Sequence, residues 1–251
     1  MSTITRDIHH AYTWTDDEGA RMVVPGVTSV LDAVLDKSGA LMTWAANNTA
    51  DAAIAHAASL QELLATSGPV GVRRFLTERS TWKRDEAAQL GTEVHRLADL
   101  LNRQEDVPFD VMADGTRERV LAYRDWWASS GWTLRLSEAM IFEPVLKYGG
   151  TFDLLARDRD GRTILADIKT GKGVYNSAVL QLTAYGMATY VQPNGVDRCY
   201  PMPVPDRYVI LHVTLDGVRE IEVAVGRLEE AAWMAAIEIH QWVQTTKGKR
   251  L

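Results

Sequence analysis

The stretch GGTFDLLARDRDGRTILADIKTGK, residues 149–172, holds two short apolar runs separated by an Asp-Arg-Asp-Gly turn signal. Branched and large apolar residues dominate both runs, so the pattern predicts two antiparallel strands joined by a tight turn. Side chains alternate across a strand, which puts Leu165, Asp167 and Lys169 on one face of TILADIK and Ile164, Ala166 and Ile168 on the other. On the preceding run Asp153 stands with Phe152 and Leu154 turned the opposite way. If the turn is tight, Asp153 and Asp167 become neighbours on one face. Two carboxylates side by side among apolar residues repel, and are costly unless positive charge sits between them. Lys169 and a divalent cation would supply that charge.

Outward from this pair the periodicity stays β-like. WTLRLSEAMIFEPVL (132–146) predicts another strand, with Tyr148-Gly149-Gly150 as the turn after it, completing a three-stranded antiparallel meander. Ser177 is placed to cap a helix from Ala178 to about Val191, closed by Pro193-Asn194-Gly195. RYVILHVTL (207–215) and VREIEVAV (218–225) predict a hairpin around Asp216-Gly217, and residues 227–246 a closing helix. The first half differs. After a β-like stretch over 12–24, Thr28 or Ser29 is placed to cap a short helix, and residues 40–66 predict another, ended by Ser67-Gly68-Pro69. Helical patterns follow over about 70–80, over 85–104 with Leu90, Val94, Leu97, Leu100 and Leu101 on the apolar side, and over about 113–130, ended by Ser129-Ser130-Gly131. The expectation is one unit over residues 1–251, with a mostly helical region (1–130) wrapped on an α/β core (131–251).

Composition narrows the classes. The chain has 251 residues, 46% hydrophobic and 24% charged, enough for a sizeable core. A single cysteine, Cys199, excludes an internal disulfide framework and any four-cysteine zinc or iron–sulfur site, which fits a reducing compartment. With no apolar run of bilayer-spanning length and no signal-like N-terminal core, the cytoplasm is expected and a membrane is not. The net charge of −6 argues against binding by overall basicity, though a metal site needs carboxylates and a local basic groove can sit on an acidic protein. Arg73-Arg74, Lys83-Arg84 and Lys247-Gly248-Lys249-Arg250 read as solvated surface or terminus, and most tryptophans as core.

Oxygen ligands of the Asp153/Asp167 kind suit Mg²⁺ or Mn²⁺, which can polarise a phosphodiester and activate a bound water. Lys169 would then orient or help deprotonate that water, or stabilise charge building on the phosphate. On the residues alone, His95 reads as a histidine near an apolar stripe paired to Asp99 one turn on, and Gln181 with Tyr185 as two residues sharing a helix face.

GGTFDLLA, ILADIKTGK and LQLTAYGMA, in that order, resemble the Gly-x-x-Asp, Asp-x-Lys-Thr-Gly and Gln-x-x-x-Tyr signature of the RecB-like branch of the PD-(D/E)xK nuclease superfamily. GTEVHRLADLL upstream is similar to the Gly-Thr-x-x-His helix of that branch, and VPGVTSVLDAV to the opening of its phage exonucleases. The resemblance implies a restriction-endonuclease-like α+β core, a mixed central sheet flanked by helices with a helical N-terminal region. It makes Asp153, Asp167 and Lys169 the catalytic residues, with His95, Asp153, Asp167 and the Ile168 carbonyl as ligands of Mg²⁺ or Mn²⁺. Glu138 is implied in a supporting role that Glu143 would take in another register. Gln181 and Tyr185 would line the site, Thr170 would turn the chain away from the strand, and Lys172 would reach the nucleic acid backbone. His9, His10, His56, His212 and His240 read as surface or packing residues.

The function expected is a metal-dependent deoxyribonuclease, an exonuclease of DNA recombination or repair in phage or bacteria, without an iron–sulfur cluster. Its partners would be DNA, as duplex ends or single strands, and a recombination protein or further copies of the chain. The alternatives are a catalytically silent DNA-binding accessory protein of the same fold, and a metal phosphohydrolase of nucleotides.

Overall fold

The computed structural model describes residues 2–8, 11–35 and 38–246; His9, His10, the side chain of Lys83 and the basic tail 247–250 lie outside the described residues. The chain divides into two units, residues 1–35 with 93–251 and residues 36–92.

The smaller unit is helical. It contains α2 (Ser38–Ala55) and the greater part of α3 (Ala57–Asn102), numbered after α1 (Val27–Val34) of the larger unit. The break expected at Ser67-Gly68-Pro69 is present inside α3, where Gly68 leaves the helical region at φ 63° and ψ −171°. Pro69 then restarts the helix, a position where its missing N–H costs nothing.

The larger unit opens with β1 (Thr3–Arg6), β2 (Tyr12–Thr15) and β3 (Arg21–Val24), an antiparallel sheet in that order. After α1 and the end of α3 come α4 (Asp114–Ser130), β4 (Thr133–Glu143), β5 (Tyr148–Arg157) and β6 (Thr163–Lys169). Then follow α5 (Asn176–Gly186), β7 (Tyr190–Gln192), β8 (Tyr200–Pro201), β9 (Arg207–Thr214), β10 (Gly217–Val223) and α6 (Arg227–Thr246). The second sheet has seven strands in the order β10-β9-β6-β5-β4-β7-β8, with β6 and β9 parallel and the other neighbours antiparallel. This is the α+β class expected, a mixed sheet flanked by helices. α1, α5 and α6 pack over one face through Val30, Leu182, Tyr185 and Trp233, against Ile141, Phe152, Leu165 and Ile210. α4 packs against β9 and β10. With cover on both sides, β6 is buried from Ile164 to Ile168, which is why it reads as a nearly unbroken apolar run.

Four local expectations are corrected. Tyr148-Gly149-Gly150 is not a turn but the start of β5; the turn falls just before it, where Lys147 takes φ 59° and its N–H donates to the Glu143 carbonyl at 2.9 Å. The glycines serve close approach instead: a Cβ on Gly149 would lie 2.6 Å from Tyr12, and one on Gly150 2.6 Å from the Tyr185 ring. α1 starts at Val27, with Gly26 rather than Thr28 or Ser29 at its N-cap, because Gly26 is bridged to Gly149 and Pro25 accepts the Gly149 N–H at 3.0 Å. Tyr175, not Ser177, stands at the N-cap of α5. That helix stops at Gly186 rather than near Val191, since residues 190–192 are taken as β7 by the open edge of β4.

Gly150→Ala should force the buried Tyr185 ring out of place and cost about 1–3 kcal/mol of stability, the usual range for overpacking. A urea titration with unchanged slope and a lowered midpoint would register it; an unshifted midpoint would contradict the packing described.

Candidate metal centre

Strand register lines up three acids. The pairs Ser137–Leu154 and Ala139–Phe152 bracket Glu138 opposite Asp153, and Leu154–Ala166 is the pair next to Asp153 opposite Asp167. Ladder pairing is interrupted in this row. Glu138 has a left-handed φ of 47°, and the β5–β6 pairing ends at Leu154 and Ala166. The Ile168 N–H donates instead to Asp153 Oδ2 at 2.6 Å.

His95 and Lys169 pair with acids of the row from different elements. His95, in the last turns of α3, has Nδ1 3.1 Å from Asp153 Oδ1. His95, Glu138 and Asp153 each offer one ligand atom, all within 4.8 Å of one another. On the other side Lys169 Nζ lies 2.7 Å from Asp167 Oδ2 and donates to Gln181 Oε1 at 3.0 Å, and Gln181 Nε2 donates to the Tyr185 hydroxyl at 2.8 Å. The Asp167 side chain is 2% exposed, and its Oδ2 has the lysine at ion-pair distance without a donor aligned as a hydrogen bond.

Crowding and burial reset the protonation of the group. Burial raises the Asp167 carboxyl to about 6 against the pull of Lys169. Burial, reinforced by the Asp153 charge, raises Glu138 to about 7. Burial would also raise Asp153, but His95, Lys169 and the Ile168 N–H hold it below the usual carboxylate range. His95 would be lowered by burial, yet the Asp153 charge and hydrogen bond lift it to about 9. Lys169 is likewise held above its ordinary value by Asp167 and Asp153, against burial. Among the described residues this is a place where one nitrogen and several hard oxygens converge, with a proton on His95 standing where a divalent ion would draw the same carboxylates. Carboxylate oxygens with one imidazole nitrogen form a donor set that could hold a divalent cation.

The expected site residues are therefore brought together with some roles redistributed. His95 pairs with Asp153, not Asp99; Asp99 is occupied by Arg103 and Ser137. Glu138, expected in support, is the acid that joins His95 and Asp153, whereas Asp167 lies in the row but is turned to Lys169. Glu143 is committed elsewhere, accepting from the Val145 N–H at 2.9 Å and the Thr189 hydroxyl at 2.5 Å. Ile168 is buried, Thr170 is half-buried just past β6, and Lys172 is exposed in the loop leading to α5. His212 is more than a packing residue. It stands beside Lys169 in the parallel β6–β9 register, and its Nε2 donates to the Gly171 carbonyl at 2.8 Å, tying down the loop after the lysine. Nothing local in RYVILHVTL marks that role, because it exists only through the pairing of two strands distant in sequence.

No family model and no curated protein matches this chain. Among solved structures it is similar to one described as the crystal structure of SSO0001, at 18% identity and a TM-score of 0.31. The match covers 50% of this chain and 57% of that one. No helix among the described residues is long and apolar enough to cross a membrane.

His95 carries the pH dependence of the metal-free protein. Its folded value, raised to about 9, lies above the unfolded 6.5, so its contribution is fully present below about 6.5 and is lost as pH rises through 9. Glu138 and Asp167, also raised on folding, act in the same sense at lower pH. In EDTA, stability should fall by about 2–3 kcal/mol between pH 6.5 and 9. Denaturant midpoints across that window should flatten in His95→Gln; the same slope in both proteins would refute the pairing.

Proposed function

We propose that the protein is a divalent-metal-dependent nuclease that hydrolyses DNA phosphodiester bonds, acting as an exonuclease of the RecB-like type that its motifs resemble. The observation that carries the reading is the convergence of His95, from α3, with Glu138 and Asp153 beside the Asp167–Lys169 pair, the three acids lying in one row across three strands. His95, Glu138 and Asp153 would hold Mg²⁺ or Mn²⁺, with Asp167 and the Ile168 carbonyl as further ligands. A bound ion would polarise the phosphodiester and lower the pKa of a coordinated water.

The other roles belong to the chain itself. Lys169 is held in the charged state by Asp167 and Asp153, which favours stabilising charge on the phosphate over accepting a proton. Gln181, fixed in turn by Tyr185, orients the ammonium. His212 holds the loop that carries Lys172, whose exposed ammonium would lie against the nucleic acid backbone. Such local positive charge reconciles DNA binding with the net charge of −6. The setting would be the cytoplasm of a bacterial or phage-infected cell.

The test is purified protein incubated with linear, circular and single-stranded DNA in Mg²⁺ or Mn²⁺, beside Lys169→Ala. Wild-type protein should degrade the linear substrates, and the variant should be slower by about 100-fold or more, the usual loss when a charge-stabilising donor is removed. Equal rates, or DNA binding without cleavage by wild-type protein in either metal, would defeat the proposal in favour of a silent accessory protein. Release of phosphate from mononucleotides alone would point to a nucleotide phosphohydrolase.

A further inference from the structure

One helical turn beyond His95, Asp99 projects from the same side of α3. Its Oδ1 accepts the Ser137 hydroxyl at 2.5 Å and its Oδ2 accepts from Arg103 Nη2 at 2.6 Å, so both oxygens of this buried carboxylate are engaged. Ser137, also buried, immediately precedes Glu138. Glu138 holds φ 47°, a conformation that disfavours any residue with a Cβ and persists only where the surroundings over-determine it.

The strand alternation records what this conformation does. Leu136 and Ala139, three residues apart, both pack into the apolar cluster beneath α1, α5 and α6. A regular strand would send them to opposite faces, so the alternation is broken between them, at Ser137 and Glu138. Such an irregularity re-aims one side chain. Here the side chain set apart is Glu138, and its carboxylate is the one grouped with His95 and Asp153.

We propose that Asp99 and Ser137 are positioning residues for the metal centre. Ser137, anchored on α3, keeps Glu138 in its left-handed conformation. The same bond fixes the turn of α3 that carries His95 against β4. Two ligands from different elements are thereby registered by a single hydrogen bond, and the third, Asp153, lies opposite Glu138 on β5. Neither Asp99 nor Ser137 needs to touch metal or substrate.

The inference rests on the metal-binding reading, and titrating Mn²⁺ into the metal-free full chain, with free Mn²⁺ followed by EPR, separates the two. Ser137→Ala should bind Mn²⁺ about tenfold or more weakly, as losses around a metal ligand do, while its circular dichroism and its melting temperature in EDTA stay close to wild type. Ser137→Thr, which keeps the hydroxyl, should retain wild-type affinity. Should the buried Asp99 Oδ1, left without its donor, unfold Ser137→Ala, the double variant Ser137→Ala/Asp99→Leu removes donor and buried acceptor together and should fold while showing the same weak binding. Wild-type affinity in the folded variant lacking the hydroxyl overturns the inference and leaves the metal site standing. Absence of Mn²⁺ binding by wild-type protein overturns the metal site and the inference with it. Loss of affinity and melting temperature in parallel, unrestored by Ser137→Thr, overturns it in favour of a purely structural bond.

Discussion

Asp153 is a largely buried carboxylate with an imidazole on one oxygen and a peptide N–H on the other. That pair of bonds joins three elements: β5, which carries the aspartate; α3, which brings His95; and β6, whose Ile168 N–H departs from the ladder to meet it. A carboxylate taken out of water must be given partners of this kind or be neutralised. The rest of the row follows from the same requirement, since Glu138 and Asp167 stand on either side of Asp153 in register, and His95, Lys169 and, towards Glu138, Arg6 bring positive charge to them.

The arrangement is poor for stability and is one that could hold a cation. Two carboxyls are pushed up towards neutrality and one residue sits in a left-handed conformation. An apolar row would avoid each of these costs. Conflicts between local preference and fold concentrate where a site has work to do, and here they fall within a few residues of one another across three strands. The apolar cluster under α1, α5 and α6 gives the rigid backing that makes such a row tolerable.

The meander was legible because its signals are local: alternating runs, an Asp-Arg-Asp-Gly turn with Gly161 at φ 80°, and a hairpin at Asp216-Gly217. The helices ending at Ser129-Ser130-Gly131 and broken at Gly68 were legible for the same reason, as glycine accepts the positive φ found at both places. What escaped were features whose cause lies far along the chain. Gly149 and Gly150 look like a turn until Tyr12 and Tyr185 are seen against them, and Tyr190 looks helical until the edge of β4 claims it.

The sequence by itself determined the strands and their parity, and hence that Asp153, Asp167 and Lys169 belong to one neighbourhood, because side-chain alternation is a property of the extended backbone alone. Tertiary structure decided which acid stands with His95. Glu138 joins Asp153 through a break in alternation beside the Asp99–Ser137 bond, and Asp167 is drawn to Lys169 instead. Such a choice depends on distances between elements set by packing, and no periodicity in the chain encodes it.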